Sequence, residues 1–99
     1  MKIWIDDVRP APSGYIHIES VSEAIAFIKK NYASIELLDL DHDAGDFASQ
    51  GGDYVKLLDF LEAEYGENMA IPVRIHSMNP VGVSNMRRII VRNGWKEII

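Results

Sequence analysis

Residues 35–43 read Ile35-Glu36-Leu37-Leu38-Asp39-Leu40-Asp41-His42-Asp43 and run into Ala44-Gly45. The first part is apolar and strand-like, as expected of a buried strand bounded by turn signals. The last three residues set two carboxylates around an imidazole. A second stretch, Val73-Arg74-Ile75-His76-Ser77-Met78-Asn79-Pro80, repeats the pattern: an apolar run, then a histidine, a hydroxyl and an amide. Both read as strands that turn into reactive loops, and the two ends are expected side by side as one site.

Composition limits what that site can be. The chain has 99 residues, enough for one compact domain over residues 1–99. Its 47% hydrophobic and 25% charged residues are ordinary for a globular protein. No apolar run approaches a membrane span and no signal-peptide pattern is present, so a cytoplasmic location is the expectation. The absence of cysteine excludes disulfides, a thiol nucleophile and cysteine-ligated zinc. A net charge of −5 argues against a surface built to grip nucleic acid throughout, and no DNA partner is expected. Locally, Arg87, Arg88, Arg92 and Lys96 cluster near the C-terminus with Arg74 upstream, a pattern that most simply makes a solvated helix face.

Around the opening stretch the elements alternate. Lys2 to Ile5 reads as a strand that stops at Asp6-Asp7, and Tyr15 to Glu19 as a second strand. The link between them holds Pro10, Pro12 and Gly14 and is shorter than a parallel crossover normally needs. Either the pair is antiparallel or the first helix is shortened or missing. Ser20 and Glu23 form a capping box before a helix with Val21, Ala24, Ile25, Ile28 and Tyr32 on one stripe. After the central strand, a second helix from Asp53 carries Tyr54, Leu57, Leu58, Leu61 and Tyr65 and ends at Gly66. Asn79 and Pro80 start a third helix as N-cap and first helical residue, with Val83, Met86, Ile89 and Ile90 inward and Asn93-Gly94 at its end. Trp95 to Ile99 is expected to add an edge strand.

This alternation predicts an α/β three-layer sandwich of flavodoxin or receiver type, with a mostly parallel five-stranded sheet. Ligands of such sheets bind at the carboxyl ends of the strands. That rim carries Asp6, Asp7 and Arg9, then Asp41, His42 and Asp43, then His76, Ser77 and Asn79. Two near-neutral imidazoles on neighbouring strand ends suit acid–base opening of a cyclic phosphate, one taking a proton from water and one giving a proton to the leaving oxygen. Asp43 or Asp6 can orient one imidazole and keep it protonated. Arg9, Ser77, Asn79 and the start of the third helix are the phosphate-binding candidates. Four aspartates oppose an anion unless they are protonated, paired or bound to Mg²⁺, for which Asp6, Asp7 and Asp41 are the candidate ligands. The simpler readings are turn capping for Asp6 and Asp7, loop capping for His42 and a satisfied histidine under the rim for His76. His17 is expected on an exposed strand face.

The acidic pair after the first strand, the aspartate ending the third and the hydroxyl ending the fourth resemble the receiver domain of two-component signalling. The strings Ile5-Asp6-Asp7-Val8-Arg9-Pro10, Leu40-Asp41-His42-Asp43 and His76-Ser77-Met78-Asn79-Pro80 resemble, more specifically, the cyclic-phosphate processing receiver-like family. The resemblance implies that the histidines process cyclic phosphate ends in contexts of RNA repair; joined to the acid–base reading, it gives a phosphoesterase (hydrolase) of a 2′,3′-cyclic nucleotide or RNA end with His42, His76, Asp41 and Asp43 as the catalytic set, a scheme that requires no cofactor and leaves Mg²⁺ open. The alternatives are a signalling receiver, with Asp41 as phosphoacceptor, a degenerate receiver that only binds, and a metal-dependent esterase using Asp41, His42, Asp43 and His76 as ligands. A phosphoacceptor receiver would carry a lysine at the rim end of its last strand, whereas Lys96 lies near the other end of that segment.

Overall fold

The computed structural model describes residues 1–99. Its strands are β1 (Lys2–Ile5), β2 (Tyr15–Ile18), β3 (Leu37–Leu40) and β4 (Val73–Ile75), and its helices are α1 (Val21–Asn31), α2 (Val55–Tyr65) and α3 (Pro80–Asn93). The strands form one parallel sheet in the order β2-β1-β3-β4. The β1–β2 pair is therefore parallel, and residues 6–14 between them contain no helix.

Two features differ from the sequence expectation. The fifth strand is absent: Trp95 to Ile99 contributes one bridge, Val73 with Glu97, through Val73 N–H to the Lys96 carbonyl at 2.9 Å and Ile98 N–H to the Val73 carbonyl at 2.8 Å. β4 offers only three residues as a template, and Trp95 is drawn into the core, its indole N–H bonded to the Gly66 carbonyl. The sandwich also lacks its third layer. The crossovers from β2 to β3 and from β3 to β4 run in the same direction along the sheet, so right-handed connections place their helices on one face. Only the β1–β2 link runs the other way, and it is the link without a helix.

The register assigns residues to faces. Ile3, Leu38 and Val73 lie on one rung, Ile5, Leu40 and Ile75 on another, and this face joins residues of all three helices in one core. The opposite face carries Trp4, His17, Asp39 and Arg74 on a shared rung. No helix covers it. Trp4 and Asp39 are nonetheless buried, because polar and aromatic side chains cover one another there.

Local signals place the helices. Ser20 caps α1 by accepting from Glu23 N–H at 3.1 Å, and Asn79 caps α3 by accepting from Gly82 N–H at 3.0 Å. Gly94 ends α3 at φ 71°, a left-handed turn that suits glycine. The segment between β3 and α2 contains a short 3₁₀ turn, Gly45–Ser49.

Candidate functional site

Backbone bonds extend the ladder one residue past the strand ends: Asp6 N–H to the Ile18 carbonyl, Asp41 N–H to the Ile5 carbonyl and His76 N–H to the Leu40 carbonyl. Asp6, Asp41 and His76 thus form a rung beyond the one holding Ile5, Leu40 and Ile75. Alternation puts their side chains on the helix-free face. His42 comes one residue later, level with Ser77, and lies against α3 on the other side.

His76 is almost fully enclosed, with its side chain 6% exposed. Its Nδ1 lies 2.7 Å from Asp39 Oδ1 and its Nε2 2.8 Å from Asp6 Oδ2. The ring stacks on Trp4 with centroids 3.8 Å apart and planes 4° from parallel. Two ionised carboxylate acceptors require an N–H on each ring nitrogen. The chain of charge continues outward, with Arg74 Nη1 3.0 Å from Asp39 Oδ2 and Arg9 Nε 4.0 Å from Asp6 Oδ2. Asp6 Oδ1 also accepts from the N–H groups of Val8 and Arg9, both at 3.0 Å. Burial alone would raise the Asp6 pKa; these two N–H groups and His76 outweigh it and hold the carboxyl below the usual range. Turn capping, the simpler reading of Asp6, is therefore present together with an ion pair.

His42 is placed differently. Its Nδ1 lies 2.8 Å from Asp43 Oδ1, and Asp43 Oδ2 accepts a long 3.5 Å contact from Asn79 Nδ2. Its Nε2 has no protein partner and is not enclosed. The imidazole rests on Gly82 in the first turn of α3, where an added Cβ would lie 2.6 Å from Cδ2 and 2.7 Å from Nδ1. Gly82 is helical and needs no positive φ, so the close approach of His42 is the physical reason for glycine there.

A cleft of about 270 Å³ opens on the rim, lined by Arg9, Asp41, Asp43, Ser77, Met78 and Asn79. Every phosphate-binding candidate lines it, as do both aspartates that flank His42. Neither imidazole does. Arg9 donates one guanidinium N–H to the His76 carbonyl at 3.0 Å and keeps others free. Ser77 Oγ accepts from Asn79 N–H at 3.1 Å, which leaves its own proton available. The start of α3 is a weaker anion site than its dipole suggests, since Asn79 caps Gly82, Pro80 has no N–H, and only the Val81 amide is free.

Of the four aspartates, Asp6 is paired. Burial, with the negative charges of Asp6 and Asp41, pushes the Asp7 carboxyl up towards its neutral form. Asp41 Oδ1 accepts from His42 N–H at 2.7 Å. Asp41 and Asp43 therefore face the cleft against one guanidinium. Asp6, Asp41 and His76 present ligand atoms within 4.8 Å of one another and can hold a metal ion. To do so, His76 Nε2 must give up both its proton and its bond to Asp6. Asp7, the third expected ligand, packs its carboxylate against Gly45 instead.

Three residues of the site gain their roles only from the fold. Asp39 sat inside an apolar run, where a lone carboxylate on a buried strand signals a partner, here His76 and Arg74. Trp4 gives no signal beyond strand propensity, and Gly82 none beyond its place in a helix, since their roles depend on His76 and His42. The C-terminal basic cluster is largely neutralised: Arg87 is paired with Glu97 and Arg92 with Glu62. His17 is exposed, as expected, with Nε2 2.8 Å from the Asp6 carbonyl.

No helix is long and apolar enough to cross a membrane. In comparisons with known proteins, the family model described as the cyclic-phosphate processing receiver domain matches residues 1–92. No curated protein and no solved structure gives a match.

Proposed function

The chain belongs to the cyclic-phosphate processing receiver domain family, and from that premise we propose that it opens a cyclic phosphate ester in the Arg9–Asn79 cleft, using His42 and Asp43 as its acid–base unit. The observation that carries this reading is the position of Asp43, whose carboxylate joins His42 on one oxygen to Asn79 and the cleft wall on the other.

Phosphoryl oxygens are held by the free Arg9 N–H groups, the Asn79 amide and the Ser77 hydroxyl. An attacking water passes its proton to the dyad through Asp43 as the new O–P bond forms. The P–O bond to the ribose oxygen breaks, and the dyad returns the proton to that oxygen. One dyad acts first as base and then as acid, and no proton is left over. His76 serves as a positioning residue: it ties β1, β3 and β4 together at the rim and holds Arg9 through its backbone carbonyl. This assignment replaces the two-imidazole relay suggested by sequence, because His76 has no free ring nitrogen.

Turnover of a 2′,3′-cyclic mononucleotide by the purified protein is the test. His42→Ala and Asp43→Asn are each expected to lower kcat by at least about 10²-fold, the scale of a lost acid–base group, in protein that stays folded. Full activity in either variant would sink the dyad.

A second reading is favoured by the charge of the cleft, since two carboxylates against one guanidinium leave it negative and a bound cation would offset that. In it, Asp41 accepts a phosphoryl group in signalling, with Asp6 and Asp41 holding Mg²⁺. Labelling of Asp41 by acetyl phosphate that depends on Mg²⁺, without cyclic-ester turnover, would select it.

A further inference from the structure

Arg9 is the one cationic group lining the cleft, and it stands on the link between β1 and β2, where no backbone-to-backbone hydrogen bond involves residues 7–11. Its neighbour Val8 is 77% exposed. Arg9 itself is tied down by side chains. Its N–H donates to Asp6 Oδ1 at 3.0 Å, and its carbonyl accepts from the indole N–H of Trp4 at 3.1 Å. Its guanidinium donates to the His76 carbonyl at 3.0 Å. Trp4 is fixed in turn by two rings. It stacks on the His76 imidazole with centroids 3.8 Å apart, and the Tyr15 ring lies across it at 5.9 Å with planes 82° apart.

We propose that Trp4 is a positioning residue for phosphate binding: its indole N–H holds the main chain of Arg9, and its stack on His76 braces the strand end whose carbonyl holds the Arg9 guanidinium. This rests on the reading that the cleft takes the phosphate. Covering the His76 ring needs only an aromatic or apolar side chain, and a phenyl ring would serve. The indole adds a single rigid donor at its far edge, and a buried donor needs a partner. That partner is the carbonyl of the residue that brings positive charge to the cleft. A free arginine side chain must be ordered when an anion binds, and orienting it beforehand removes that cost from binding. With its backbone N–H, its carbonyl and one guanidinium N–H already bonded, Arg9 presents its remaining N–H groups in one direction.

The test is a double-mutant cycle on KM for a 2′,3′-cyclic mononucleotide, using the parent, Trp4→Phe, Arg9→Ala and the two combined. Trp4→Phe is expected to raise KM about fivefold, the scale of one neutral hydrogen bond, with kcat within about twofold of the parent, because the phosphoryl contact is made before and during the reaction. In the Arg9→Ala background the same change should leave KM unaltered. A residue that only packs would lower Tm in both backgrounds and leave KM alone. The benzothienyl analogue of tryptophan at position 4, with sulfur in place of the N–H, keeps the bicyclic ring and should raise KM as Trp4→Phe does. An unchanged KM in either variant, or an equal rise with and without Arg9, overturns the proposal. If the parent turns over no cyclic mononucleotide, the catalytic reading fails separately. Trp4 is then judged by binding of inorganic phosphate, followed through the Ser77 and Asn79 amide shifts in NMR. Binding weakened by Trp4→Phe only where Arg9 is present supports the proposal; equal binding by the parent and Trp4→Phe, or none by the parent, overturns it.

Discussion

His42 and His76 follow neighbouring strands of one sheet and look equivalent in the sequence, and each Nδ1 meets an aspartate, yet the rest of their surroundings differ. His76 is enclosed, stacked on Trp4 and bonded at both nitrogens to Asp39 and Asp6. His42 keeps one nitrogen open, bonds an exposed aspartate and leans on a glycine. The cause is register. His76 is level with Asp41, so His42 is one residue further out, and in a pleated sheet one residue reverses the face. Of two histidines read as a pair, one faces the helices and the other faces a side of the sheet that has no helices. The buried one stands in for the missing layer: its network with Trp4, Asp39 and Arg74 closes a face that a doubly wound fold would cover with helices.

The contrast is broken most severely by removing the buried ring. His76→Ala leaves Asp6 and Asp39 enclosed without their shared partner, and loss of one member of a buried ionic network typically costs about 3–5 kcal/mol. Thermal unfolding should show a fall in Tm of well over 10 °C, given about 4–8 °C per kcal/mol for a domain of this size. A variant as stable as the parent would show that the network does not hold the rim.

Gly82→Ala sharpens the comparison from the other side. In an ordinary helix this change stabilises by about 1 kcal/mol. Here the new Cβ occupies the space of the His42 imidazole, so the ring must leave Asp43. Turnover should fall by about tenfold or more while α3 remains formed by circular dichroism. Retained turnover with raised stability would mean that the contact has no bearing on the dyad.

The smallest effect concerns Asp7. Its carboxyl is pushed up by burial and by Asp6 and Asp41, so ionisation opposes folding as pH rises through the unfolded-state value and on to the higher folded-state value. Asp7→Asn should therefore raise Tm at pH 7, with the gain vanishing below the unfolded carboxylate range, near pH 3. Asp6 has the opposite sign. Its depressed pKa adds stability above the unfolded value, and this is lost as pH falls through the folded one. A Tm gain for Asp7→Asn that is equal at pH 7 and pH 3 would show that charge is not its cause.

Much of this was legible in the sequence because it is local. The Ser20 and Asn79 caps, the glycine stops at Gly66 and Gly94 and the apolar stripes of the helices depend on residues a few positions apart, and the structure has them, except that Val83 lies outside the core and Gly82 is buried in its place. The rim set was legible too, since parallel sheets gather strand ends. What was not legible depends on pairing across the sheet. The parity of His42 and His76 follows from the β3–β4 register, which no single stretch encodes. Asp39 gains its meaning only when Arg74 and His76 arrive beside it, 35 and 37 residues later. The lost edge strand likewise reflects the shortness of β4 and the pull of the core on Trp95, rather than anything within Trp95 to Ile99.

The division of labour between the two histidines is tested most directly by cyclic-phosphate turnover per folded molecule in His42→Gln and His76→Gln, measured side by side below the Tm of each. The expected result is turnover lost by about 10²-fold or more in His42→Gln at near-parental Tm, and turnover within about tenfold of the parent in His76→Gln despite a much lower Tm. An active His42→Gln, or a His76→Gln that is stable and inactive, would contradict it.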